Sequence, residues 1–81
     1  MTVTVCFYSY FKDLAGASTT TEQLPPNATL GELYSRLGQK FPKLQSLQKS
    51  TLMAVGVDYQ DRHYVLQDGD EVSLFPPVQG G

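Results

Sequence analysis

The chain has 81 residues, 41% of them hydrophobic and 17% charged, with five Tyr and four Phe. This is the composition of one small folded domain, leaving no room for a second and few apolar side chains to line a deep pocket. A net charge of -2 gives no global attraction for phosphate backbones or anionic lipid, so nucleic acid and membrane surfaces are not expected partners. The charge is uneven: the segment through Lys49 carries an excess of basic groups, whereas after it only Arg62 stands against Asp58, Asp61, Asp68, Asp70 and Glu71. One cysteine excludes an internal disulfide and fits a reducing, cytoplasmic setting. No apolar run approaches the roughly 20 residues of a membrane span, and Met1-Thr2-Val3 opens on strand-like sequence instead of a signal segment.

Residues 2–10 are β-branched and aromatic, and Val3, Val5 and Phe7 recur with period two, the pattern of a half-buried strand. Phe11 to Gly16 breaks that pattern as a short helical turn, with Gly16 able to take the positive φ that ends it. A polar, Thr-rich strand at about 18–24 completes a hairpin with a wide connection, and Pro25-Pro26-Asn27 stops it. Thr29 and Glu32 have the T-x-x-E spacing of a capping box, so a helix should start at Leu30. Leu30, Leu33, Tyr34, Leu37 and Phe41 form one apolar stripe, and Pro42 ends the run.

Lys43 to Ser50 reads as a polar connection with Leu44 and Leu47 dipping inward, followed by a short buried strand at Leu52 to Val57. Asp61-Arg62-His63 reads as a turn, Tyr64 to Leu66 as a short edge strand, and Asp68-Gly69-Asp70 as the turn before a last strand around Val72 and Leu74. Strand, strand, helix, then two or three strands is not an alternating α/β wind. It predicts an α+β fold with one main helix packed on one face of a mixed sheet of four to five strands. The first and last strands, the most apolar, would lie side by side at its centre.

The usual catalytic constellations are missing. One Cys and one His cannot build a Cys/His metal cluster, no metal site is expected, and no P-loop is present. Cys6 has the opposite parity to Val3, Val5 and Phe7 and reads as an inert thiol; His63 reads as a solvated loop residue. Arg36, Lys40 and Lys43 form a basic ridge on the outer helix face, read as solvated. What stands out is Phe75-Pro76-Pro77-Val78-Gln79-Gly80-Gly81. Two prolines stiffen a spacer leaving the domain, so the chain divides into a domain over 1–75 and a flexible tail over 76–81. Six residues from Pro76 reach at most roughly 20 Å, enough to enter another protein's cleft. Gly80 and Gly81 have no side chains to obstruct a narrow channel, and Gly81 offers an unhindered carboxylate, a poor electrophile until an adenylate or similar leaving group is placed on it.

These features together resemble the MoaD/ThiS family of ubiquitin-like (β-grasp) sulfur carriers. The likeness runs through Val3 to Phe7, Phe11 to Gly16, Leu24 to Leu33, Asp68 to Val72 and the tail from Phe75 to Gly81. The Pro-Pro before Val-x-Gly-Gly is similar to the molybdopterin branch more than the thiazole branch. Two positions depart from the family pattern: Gly56, where Asn is usual, and Lys12, where Arg is common. The resemblance implies a carrier that is not catalytic on its own and binds no cofactor. Gly81 would be adenylated with ATP by an E1-like (MoeB-like) enzyme and converted to a thiocarboxylate by a sulfur donor such as a cysteine desulfurase or rhodanese. It would then deliver sulfur to precursor Z in a MoaE-like large subunit, within a complex holding two copies of each subunit. Phe75 is the candidate docking residue by its parity, with core packing as the competing reading, and Pro76, Pro77, Val78, Gln79 and Gly80 would thread the partner's cleft. Carriers for thiamine or cysteine synthesis, and a protein modifier joined through Gly81 by an isopeptide bond, are the alternative functions.

Overall fold

The computed structural model describes residues 1–77. Strand β1 (Thr2–Phe7) buries Val3, Val5 and Phe7, as its period-two pattern requires. It is shorter than expected because Ser9 turns to φ 55°, and the chain folds at Phe11 into α1 (Phe11–Ala15). Gly16, at φ 72°, ends α1 and donates its N–H to the Lys12 carbonyl, the expected glycine cap. Strand β2 (Thr19–Gln23) runs back antiparallel to β1, from Thr19 opposite Cys6 to Gln23 opposite Thr2.

Helix α2 (Leu30–Lys40) buries Leu30, Leu33, Tyr34 and Leu37 along the expected stripe, and the half-buried Phe41 meets Phe7 edge-on at 5.6 Å. Burial of each such Leu contributes about 1.5–3 kcal/mol. Only half of the expected capping box forms: Thr29 Oγ1 accepts the Glu32 N–H at 3.2 Å. The next N–H groups are met by a distant loop, Leu30 donating to the Tyr64 carbonyl and Gly31 to that of Arg62, at 3.0 and 2.9 Å. A Cβ on Gly31 would come within 3.3 Å of Arg62, so this close approach depends on glycine. Lys40 does not belong to a free basic ridge. Its ammonium reaches β2, 3.0 Å from Glu22 and 3.2 Å from the Thr20 hydroxyl, while Arg36 and Lys43 remain exposed.

The expected polar connection is a 3₁₀ helix (Pro42–Ser50) with Leu44 fully buried. One buried hydroxyl anchors it: Tyr34 donates to the Leu44 carbonyl at 2.8 Å and lies 3.1 Å from Thr51 Oγ1, whose single proton is within reach of both the Tyr34 oxygen and the Leu47 carbonyl. Strand β3 (Leu52–Val55) ends two residues earlier than expected. Gly56 (φ 61°) and the 96% exposed Val57 form a two-residue hairpin turn into β4 (Asp58–Tyr59), a strand the sequence pattern missed. Positive φ at the first turn residue and not the second is the II′ pattern, which favours glycine. The expected edge strand at Tyr64 to Leu66 reduces to a single bridge between Thr29 and Val65.

Gly69, at φ 86°, forms the turn before β5 (Glu71–Phe75), and Asp68 Oδ1 accepts the Thr2 N–H at 2.7 Å. The sheet order is β2-β1-β5-β3-β4, with β5 parallel to β1 and antiparallel to β3. The first and last strands thus form the centre, and α2 covers one face, the β-grasp layout. Among the described residues no helix is long and apolar enough to cross a membrane.

Tyr34→Phe should lower the free energy of urea unfolding by about 1–2 kcal/mol, because the Leu44 carbonyl and Thr51 hydroxyl lose a buried partner. Gly56→Val should cost about 1–2 kcal/mol in the same measurement, by forcing a β-branched residue to positive φ.

Candidate functional site

The helices leave one face of the sheet uncovered, and strand parity assigns its residues. Thr2, Thr4 and Cys6 of β1, Glu71, Ser73 and Phe75 of β5, Leu52 and Ala54 of β3, and Tyr59 of β4 share it through their registers. At the end where β5 finishes, this face becomes aromatic. The Phe75 ring stacks on Tyr8 with centroids 4.7 Å apart and planes 12° from parallel, and Tyr59 meets it edge-on at 6.2 Å. Tyr8 is 42% and Tyr59 67% exposed, so one side of the cluster faces solvent. The backbone helps to hold it, since the Tyr8 N–H donates to the Leu74 carbonyl at 3.1 Å.

Phe75 is therefore outside the hydrophobic core and only half buried, as a side chain stacked within an exposed aromatic patch. Pro76 and Pro77 follow it, half buried and in no regular element. Val78, Gln79, Gly80 and Gly81 lie outside the described residues. Sequence reasoning missed the two partners of Phe75. Tyr8 was legible in principle, because it shares the parity of Cys6; Tyr59 was not, because a two-residue strand carries no periodicity.

The remaining titratable candidates have other settings. Cys6 is half buried on the open face, where burial first and the Glu71 carboxylate second push its thiol pKa up. Less thiolate is present at a given pH, the opposite of what a nucleophile needs. His63 is exposed, its backbone N–H donating to Asp61 Oδ1 at 2.8 Å. Among the described residues no group of three or more His, Cys, Asp or Glu side chains is placed to hold a metal ion. The arrangement provides a sheet face with an aromatic patch at the end of β5.

This platform is shared with known proteins. A model of the ThiS family matches residues 5–81, and the chain belongs to that family. It is 31% identical over 84 aligned positions to the molybdopterin synthase sulfur carrier subunit of Chlamydomonas reinhardtii, covering 100% of both chains. A putative molybdopterin converting factor subunit 1 from Pyrococcus furiosus superposes with a TM-score of 0.88 at 27% identity, over 96% of this chain and 99% of that one. A chain from the complex of subunits 1 and 2 of the Helicobacter pylori molybdopterin-converting factor gives a TM-score of 0.69 at 27% identity, over 100% of each.

Alkylation of Cys6 by iodoacetamide in the folded protein should be slower at neutral pH than that of a free cysteine, and its pH-rate midpoint should lie higher. Mass spectrometry across a pH series measures both.

Proposed function

We propose that this protein is a sulfur carrier of molybdenum cofactor biosynthesis and acts as the small subunit of a molybdopterin synthase. The observation that carries the reading is the end-to-end match to a sulfur carrier subunit in a chain that runs from a β-grasp platform into Pro76-Pro77-Val78-Gln79-Gly80-Gly81. In this reading the carboxylate of Gly81 attacks the α-phosphorus of ATP in an E1-like partner, and pyrophosphate leaves. A sulfide equivalent from a sulfur donor displaces AMP, leaving a thiocarboxylate.

The loaded tail enters the large subunit, where the thiocarboxylate sulfur bonds to a carbon of precursor Z as that carbon's C–O bond breaks and the oxygen leaves with a proton, giving a thioester. Water then cleaves the resulting thioester, leaving sulfur on the product and restoring the Gly81 carboxylate. The chain's own contribution is presentation. The prolines hold the start of the tail extended, the glycines remove side chains near the reacting carbonyl, and the Tyr8–Phe75–Tyr59 patch docks the domain. General acids and bases would come from the partners.

Incubation with ATP, the cognate E1-like enzyme and a sulfur source should raise the intact mass by the exchange of one oxygen for sulfur, located at Gly81. Deleting Gly81, or adding one residue after it, should abolish this gain without changing the unfolding midpoint; loading of either variant would overturn the reading. Phe75→Ala should weaken binding to the large subunit by about tenfold or more, as expected for an aromatic anchor, measured by calorimetry.

A further inference from the structure

β4 is only two residues long, so it pairs with β3 at Ala54 and Val55, and the Gln60 N–H donating to the Met53 carbonyl at 3.0 Å closes that pairing. Beyond this point, between the end of the 3₁₀ helix, β3 and the loop after β4, a cleft of about 430 Å³ opens. Its apolar lining comes from Leu52, Met53 and Tyr59, and its basic lining from Lys49 and Arg62, with His63 beside them. Asp61 is the one acidic residue that lines it, and its Oδ1 already accepts the His63 N–H. Lys49 and Arg62 make no ion pair among the described residues. Arg62 is set in place by its carbonyl, which accepts the Gly31 N–H, so the basic rim is tied to the start of α2.

The cleft is also continuous with the aromatic patch. Tyr59 belongs to both, and Leu52, opposite Phe75 in the sheet, lines the cleft. We infer that this cleft receives an extended acidic segment of the protein that covers the aromatic patch, its carboxylates meeting Lys49 and Arg62 and its apolar side chains resting on Leu52 and Tyr59. A protein occupant is favoured over nucleic acid because the chain is net acidic, at -2. The inference rests on the proposed function for the identity of that protein, the synthase large subunit.

Calorimetric binding of the full chain to its cognate large subunit, over a series of salt concentrations, tests it. The double variant Lys49→Glu, Arg62→Glu should bind about tenfold more weakly at low salt and show a shallower salt dependence. The conservative pair Lys49→Arg, Arg62→Lys should retain affinity, and Arg36→Glu with Lys43→Glu on the helix face should change neither quantity. Carbodiimide cross-linking should join Lys49 to an Asp or Glu of the large subunit. Wild-type affinity and salt slope in the double variant, or cross-links confined to other lysines, would overturn the cleft inference while leaving the carrier reading intact if Phe75→Ala still weakens the complex. Failure of the wild-type chain to form any complex would overturn both.

Discussion

The parallel pairing of β1 with β5 is the constraint on which the rest of the molecule depends. It brings Val5 against Val72 and Phe7 against Leu74, all at most 2% exposed, and places the two most apolar strands where both edges are paired and the face carrying these side chains is covered. Parallel neighbours cannot be joined by a tight hairpin. The connecting chain must therefore cross the sheet, and α2 with its apolar stripe is the crossing that also covers the core. Because β1 ends at Phe7 as β5 reaches Leu74, Tyr8 and Phe75 emerge together, and the aromatic patch follows from the same register as the core.

The parts of this arrangement visible in the sequence are those written in a regular period or in a residue with one conformational use. Alternation marked β1, the Leu30 to Leu37 stripe marked α2, and Gly16 and Gly69 marked their turns. The parts that escaped depend on partners far along the chain. The 3₁₀ helix has no long apolar repeat and is held by the Tyr34 hydroxyl. The start of α2 places its Leu30 and Gly31 N–H groups on the carbonyls of Tyr64 and Arg62, which no local spacing announces. A two-residue β4 has no pattern at all, and the salt bridge that draws Lys40 to Glu22 was invisible to a helix-face reading.

The candidate site divides along the same line. The tail expectation rests on proline and glycine restricting or freeing the backbone regardless of context, and Val78 to Gly81, on which it falls, lie outside the described residues. The aromatic patch was legible only at Phe75, through its parity, since the stacking partners come from β1's continuation and from β4. Under the proposed carrier function a domain can remain small: its core would have only to hold a sheet rigid, while pockets, nucleotide sites and catalytic groups would belong to larger partners.

The stacking of Tyr8 on Phe75 has a consequence for folding. Its two rings come from near the two ends of the described chain, so the patch is a contact of high sequence separation and cannot form before the strands between which it sits have paired. A chain still emerging from the ribosome, or one with β5 detached, lacks the patch altogether. A partner that docks on these stacked rings would thereby discriminate finished molecules from incomplete ones.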